Sequence, residues 1–228
     1  MNAWRGLSIA LACLGVTMSA QQGTFRPAQY AGGSVPLVPV RAIGGGEVLL
    51  ELAVTKTGTV ADVKTLRTTP PFTAQFAAAA RSWRFRPAER LTESLDRSRP
   101  PAWLPVDATV LVGGVIRPPT LNTPTQGELA RDIGSEADDT PFPLSVVAPP
   151  FPPRARDDGS VLVQVMIDAG GRVSDAKVLQ SSPAFDEVAL KTARAWVFRP
   201  ARVRGESVAT YAYLVFAFRQ PVLGPARP

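Results

Sequence analysis

The sequence predicts an α+β fold made of two copies of a small unit, each a three-stranded antiparallel sheet packed by one helix (β-β-α-β). The first observation is an internal repeat, because residues 36–88 match residues 149–201 at a constant offset of 113 without a gap. The second is an apolar–polar alternation that runs into a glycine turn in each copy, which is typical of a β-hairpin. The third is a helical spacing of apolar residues that ends before a proline.

The repeat is clearest around two tryptophans. The stretch Trp83-x-Phe85-Arg86-Pro87-Ala88 recurs as Trp196-x-Phe198-Arg199-Pro200-Ala201. We predict that Trp83, Phe85, Trp196 and Phe198 belong to the structural core, because large aromatic side chains beside an amphipathic helix usually pack inward. A peptide-binding role for the tryptophans is the alternative.

Each copy begins with a predicted hairpin. Alternating apolar residues mark the first strand: Val48, Leu50, Leu52 and Val54 in copy one, and Val161, Val163, Val165 and Ile167 in copy two. Gly58 and Gly170-Gly171 supply the turns, because glycine adopts the positive φ that a tight hairpin needs. Second strands follow near residues 59–66 and 172–179.

A helix and a last strand complete each unit. Ser182-Pro183 resembles a helix start, and the acids Asp186 and Glu187 then lie in the first turn, where the helix dipole favours them. The helix must end before Pro200. The last strand is predicted over residues 208–218, and its counterpart over 106–115 follows a longer insertion at 89–105.

The ends of the chain and the segment between the copies have a different composition. We predict the following boundaries: 1–20 signal peptide, 21–35 linker, 36–117 first domain, 118–145 linker, 146–220 second domain and 221–228 tail. Arg5, an apolar stretch and Ser19-Ala20 are typical of a cleaved export signal. An uncleaved inner-membrane anchor and lipidation at Cys13 are alternatives, and each of them places the chain in the bacterial envelope.

Composition argues against catalysis. The chain contains no histidine, and its single cysteine lies in the predicted signal. We therefore expect no enzyme activity, no cofactor and no metal site, and we interpret Glu136, Asp138 and Asp139 as a solvated linker in preference to a calcium loop. The net charge of +6 is compatible with anionic lipid or cell wall, but the arginines are scattered, so no nucleic-acid binding is expected.

Copy two carries a set of spaced motifs that resembles the TonB C-terminal domain. The motifs are Phe151-Pro152-x-x-Ala155, Gly159-x-Val161, Asp168-x-x-Gly171-x-Val173, Ser181-Ser182, Trp196-x-Phe198-x-Pro200-Ala201 and Gly205-x-x-Val208. Copy one carries the pattern more faintly. The resemblance implies a periplasmic, non-catalytic domain that grips an outer-membrane receptor peptide by strand addition and transmits force from an inner-membrane motor.

By this resemblance the last strand is expected to be an open docking edge. The expected partner-binding residues are Phe151, Pro152, Val208, Thr210, Tyr211, Tyr213, Val215 and Phe216. Expected partners are peptides of outer-membrane receptors or other envelope proteins, with homodimerisation by edge pairing as a further expectation. A structural envelope protein that contacts cell wall or lipid is the alternative function. Coupling to a motor is left open, because this chain lacks the histidine-bearing membrane helix of a full energy transducer.

Overall fold

The computed structural model describes residues 24–36, 45–92, 100–117, 127–128 (backbone only) and 138–220. The predicted signal peptide, Cys13, Glu136 and the tail after residue 220 lie outside these ranges. Within the described ranges, no helix combines the length and the apolar character that a membrane crossing requires.

The described residues form short strands and two helices. The first half comprises β1 (Phe25–Arg26), β2 (Gln29–Gly32), β3 (Gly46–Val54), β4 (Val60–Arg67), α1 (Phe72–Arg81), β5 (Arg84–Arg86), β6 (Ala88–Leu91), β7 (Trp103–Val106) and β8 (Ala108–Ile116). The second half comprises β9 (Gly127–Glu128), β10 (Phe142–Val146), β11 (Gly159–Ile167), β12 (Val173–Gln180), α2 (Asp186–Arg194), β13 (Val197–Arg199), β14 (Ala201–Val203), β15 (Glu206–Val208) and β16 (Thr210–Phe218). The predicted α+β class is confirmed.

The two halves share one central sheet instead of forming two separate ones. Its six strands lie in the order β12-β11-β16-β8-β3-β4. The two last strands, β8 and β16, meet at the centre and run parallel, with Leu111 opposite Ala212 and Ile116 opposite Ala217. The other neighbours in this sheet are antiparallel. The edges of the sheet are therefore β4 and β12.

The helices cover opposite faces of this sheet. On one face α1 packs in a core cluster that includes Leu50 and Leu52 of β3 together with Tyr213 and Val215 of β16. On the other face α2 packs in a second cluster that includes Leu49 and the other side of β16. The central strands are thus buried on both faces, and each fully buried apolar side chain contributes roughly 1.5–3 kcal/mol.

Gly113 and Gly114 allow side chains on both faces of the central sheet to pack close to the backbone of β8. A Cβ added at Gly114 would lie 2.1 Å from a ring atom of Phe76, on the α1 side. A Cβ at Gly113 would lie 3.2 Å from the ring of Trp196, on the α2 side. The aromatic rings of the two layers therefore occupy the space that side chains would otherwise fill.

The hairpins of the two halves make the same backbone contacts. Gly58 has a φ of +83°, and an added Cβ would lie 1.9 Å from the carbonyl oxygen of Phe85. Gly171 has a φ of +82°, and an added Cβ would lie 1.9 Å from the carbonyl oxygen of Phe198. Only glycine combines this φ with so close an approach.

The tryptophans that end the two helices also have equivalent partners. The indole N–H of Trp83 donates to the carbonyl oxygen of Ser34 at 2.9 Å, and that of Trp196 donates to Val147 at 3.0 Å. The two acceptors are separated by the same 113 residues as the repeat. Both indoles are buried, with 1% and 2% of their surface exposed.

Two segments expected to be linkers contain strands. β2, which lies within residues 21–35, pairs with β5, and β10, which begins within residues 118–145, pairs with β13. The pairs are equivalent, because Tyr30 lies opposite Phe85 and Pro143 lies opposite Phe198. Each half of the chain therefore includes a strand that begins before the sequence repeat. The insertion at 89–105 contributes parts of β6 and β7, which pair with each other.

The start of α2 differs slightly from its prediction. The helix begins at Asp186, after a turn over the residues that follow Ser182. The Asp186 carboxylate accepts the Ser182 backbone N–H at 2.8 Å and the Ser181 hydroxyl at 2.5 Å. An acid in the first turn thus holds the incoming chain, much as the acidic residue of a capping box does.

Candidate partner-binding surfaces

The last strand is not an open edge in this structure. β16 is paired with β11 over residues 210–218 on one side and with β8 over residues 212–217 on the other. The expectation that residues 208–218 offer a free docking edge is therefore wrong. The physical reason is that the equivalent strand of the first half occupies that edge.

The side chains expected to contact a partner along this strand face the interior or a neighbouring strand. Tyr213 and Phe216 are fully buried, Val215 is 1% exposed and Thr210 is 5% exposed. Tyr211 is half-buried and packs against the α1-side core. Val208 is half-buried and lies opposite Ala201 in the β14–β15 hairpin. Apolar residues on both faces of β16 thus reflect a sheet covered on both sides.

Tyr213 joins the second half to the N-terminal strand of the first. Its hydroxyl accepts the backbone N–H of Tyr30 at 2.8 Å and donates to the carbonyl oxygen of Ala28 at 3.2 Å. Burial raises the pKa of the Tyr213 hydroxyl well above its ordinary value of 10.0, so the group remains a neutral donor at alkaline pH values where an exposed tyrosine would ionise.

Gln180 at the end of β12 holds the same N-terminal segment. Its amide nitrogen donates to the Tyr30 hydroxyl at 2.8 Å and to the carbonyl oxygen of Gly33 at 2.5 Å. Its amide oxygen accepts the backbone N–H of Val35 at 3.2 Å. The end of β12 is therefore occupied by contacts within the chain.

A groove runs beside α2 and is the candidate binding surface for a partner. Its volume is about 390 Å³. One wall is α2 with its flanking residues, and the other is the extended segment 147–152. The lining residues are Val147, Ala148, Pro150, Pro152, Ala184, Glu187, Val188, Lys191, Thr192 and Ala195. A concave, mostly apolar surface with a few polar groups is the usual form of a binding site.

The extended wall of this groove is held by hydrogen bonds to its carbonyl groups. Trp196 donates to Val147, and the guanidinium of Arg117 donates to the carbonyl oxygen of Pro149 at 3.0 Å. Arg117 lies at the end of β8, and its burial lowers the pKa of the guanidinium from its ordinary value. Because Arg117 belongs to the first half, both halves of the chain position this wall.

The two predicted contact residues before β11 lie at or near the groove. Pro152 lines it directly. Phe151 is half-buried, and its ring meets Phe185 edge-on at 5.6 Å, while Phe185 in turn stacks on Phe218 at 4.4 Å. The groove residues on α2 were not identified from sequence. Glu187 and Lys191 are spaced four apart, which is a signal for a shared helix side.

Two charged residues named in the sequence analysis, Asp139 and Arg199, contact other parts of the structure. Asp139 accepts the backbone N–H of Thr109 at 3.1 Å. The Arg199 guanidinium lies 5.8 Å over the ring of Phe142. Among the described residues, no group of three or more potential metal ligands comes together.

Comparison with known proteins identifies one region. No curated protein matches the chain. Residues 147–219 match the family described as Gram-negative bacterial TonB protein C-terminal, and the match does not extend to the first half. It includes the whole groove beside α2 and the strands β11, β12 and β16. Over residues 147–219, the second half of the chain is therefore similar to the TonB C-terminal family.

Proposed function

We propose that this chain is a non-enzymatic protein-binding module of the bacterial periplasm, which holds an extended peptide of an outer-membrane transporter or other envelope protein in the groove beside α2. The observation that carries this proposal is the match of residues 147–219 to the TonB C-terminal family, which spans the residues that form the groove.

We further infer that the first half is a divergent second copy of the same domain. The equal offset of the Gly58 and Gly171 turns, of the two indole hydrogen bonds and of the β2–β5 and β10–β13 pairs supports this inference. Chance convergence would not reproduce several long-range contacts at one spacing.

The groove suits a peptide with apolar side chains. Several prolines in the extended wall lack backbone N–H groups, so they present apolar surface without donors that need partners. Glu187 and Lys191 are exposed and place both charge signs at the rim. We therefore expect affinity to come from apolar burial, with little dependence on salt.

Strand addition at β16 is not part of this proposal. A peptide could pair there only after β8 and β16 had separated, which would break the six residue pairs between Ala212–Leu111 and Ala217–Ile116. It would also expose side chains that are buried on both faces of β16, and peptide binding would have to offset the free energy lost by exposing them.

The test is binding of fluorescent peptides that carry the N-terminal box of outer-membrane receptors. The full chain without its signal should bind at least one of them saturably, and Ala195→Trp, which fills the groove, should weaken binding by about tenfold or more. Ala169→Trp, at an exposed position in the β11–β12 turn, is the matched control. Failure of every peptide to bind, or equal binding by Ala195→Trp, would remove the proposal.

The cell-wall alternative has a distinct signature. Arg154 and Arg156 are exposed, but Asp157 and Asp158 follow them directly, so this surface carries mixed charge. Retention on peptidoglycan that falls steeply with salt and does not respond to Ala195→Trp would favour that alternative.

A further inference from the structure

We propose that β12 is a self-complementary edge, through which two copies of this chain form an antiparallel, two-fold symmetric dimer. The site is the stretch from Ser174 to Val178. It lies apart from the proposed peptide groove, so this inference does not depend on the proposed function.

The outer edge of β12 is available over this stretch. Before it, Arg172 forms a bridge with Val197. After it, Gln180 contacts the N-terminal segment. Between these points the central sheet has no further strand among the described residues, and Ser174, Asp175 and Lys177 are exposed. Unpaired N–H and C=O groups on such an edge can bind another strand.

The charges on this edge alternate in a way that fits a second copy. Ala176 faces the α2-side core and is 8% exposed, so Asp175 and Lys177 lie together on the opposite face. In an antiparallel pair centred on Ala176, the Asp175 of each copy lies opposite the Lys177 of the other. Opposite charges directly across a strand pair are stabilising, and like charges are destabilising.

The same charges select one register. A pair centred on Asp175 would place two carboxylates opposite each other, and a pair centred on Lys177 would place two ammonium groups opposite each other. A shift by a single residue would put side chains on the wrong face of the sheet. Of the registers that use this stretch, only the one centred on Ala176 pairs each charge with its opposite.

The other edge strand is a poorer candidate, although it carries the same motif. On β4, Lys64 lies opposite Glu51 of β3, so an acid within the chain competes for it. On β12, Lys177 lies opposite Gln164, which carries no charge. The β12 charges are therefore better placed to pair with another molecule.

The experiment is sedimentation velocity of the full chain without its signal, over a dilution series. Wild type should show a reversible dimer. Asp175→Lys and Lys177→Asp should each be monomeric over the range in which wild type dimerises, with dimer dissociation constants raised by about tenfold or more, because each change replaces two attractive pairs with two repulsive ones. Mixing the two variants should restore a dimer, since their edges are then complementary.

Asp62→Lys on β4 is the matched control and should dimerise like wild type. A wild type that stays monomeric at every dilution would overturn the proposal. So would a mixture of the two variants that remains monomeric, or an equal loss of dimer in the β4 control. Peptide binding in the groove should be unchanged in Asp175→Lys, so failure of one proposal is distinguishable from failure of the other.

Discussion

Replacing Tyr213 with phenylalanine tests whether the N-terminal strand is locked to the second half. The change removes one hydroxyl from a fully buried position and leaves the ring in place. The backbone N–H of Tyr30 loses its acceptor at 2.8 Å, and the carbonyl oxygen of Ala28 loses its donor at 3.2 Å. A net loss of about 0.5–1.5 kcal/mol for each bond gives a total of about 1–3 kcal/mol in the free energy of unfolding.

The assay is urea unfolding at neutral pH. If the slope of the transition is the same in both proteins, a shift of the midpoint measures the change in the free energy of unfolding. The amide of Tyr30 should also exchange with solvent faster in Tyr213→Phe, because it has lost its partner. Tyr211→Phe is the control, since no hydrogen bond of the Tyr211 hydroxyl occurs among the described residues. It should change stability by less than about 0.5 kcal/mol. If Tyr213→Phe changed the free energy of unfolding as little as Tyr211→Phe, the Tyr213 hydroxyl would not hold the N-terminal strand to the second half.

Three further predictions concern the turns, the centre of the sheet and alkaline pH. Gly171→Ala should destabilise the folded state by about 1–3 kcal/mol, because this position has a positive φ and the added Cβ would clash with the backbone of Phe198. Gly170→Ala should destabilise it by less than about 1 kcal/mol. The midpoints of thermal unfolding of the two variants test this difference. Gly114→Ala should lower the free energy of unfolding by about 1–3 kcal/mol, because its Cβ would lie 2.1 Å from a ring atom of Phe76 in α1. Gly32→Ala is the control, since a Cβ there meets nothing within 4 Å. Equal urea midpoints for the two variants would contradict the close packing of Phe76 on β8. The pKa of Tyr213 is raised in the folded state above its ordinary value of 10.0. The protonated hydroxyl therefore contributes its full stabilisation of the folded state below pH 10, and this contribution declines as the pH rises further. Absorbance titration should therefore show one tyrosine that ionises only as the chain unfolds, and an early, complete titration with the fold intact would refute this.

The hairpins and helices could be predicted because they depend on local patterns. The alternation before Gly58 and Gly171 and the apolar spacing before Trp196 are properties of short windows. The start of α2 was displaced to Asp186 because a carboxylate hydrogen bond, which sequence does not reveal, holds the preceding turn.

The N-terminal strands were missed because their side chains do not repeat. Gln29 and Tyr30 occupy the positions of Phe142 and Pro143, and neither pair alternates in a strand-like way. Their pairing with β5 and β13 is made by backbone atoms, which residue identity does not record. Sequence identity between the halves therefore begins only at residue 36, whereas matching strand pairs already occur at Gln29 and Tyr30.

The parallel meeting of β8 and β16 was the main feature that sequence reasoning did not find. One signal for it is the apolar character of both faces of β16, which is typical of a strand covered on both sides. The Gly113-Gly114 pair was a second signal, since two adjacent small residues in a strand indicate close packing on both faces. Neither signal identifies the neighbouring strand, because that choice depends on contacts about a hundred residues apart in the chain. For the groove, Pro152 was anticipated, but its helical wall required the fold.

The parallel arrangement of β8 and β16 gives the connection between the halves a physical role. Asp139 of the second half lies beside the beginning of β8, at Thr109, whereas the chain leaves β8 at its other end, after Ile116. This connection acts as a tether that keeps the halves at a mutual effective concentration on the order of millimolar, whatever the concentration of the protein. Dilution that would separate two independent subunits therefore leaves this internal pair joined.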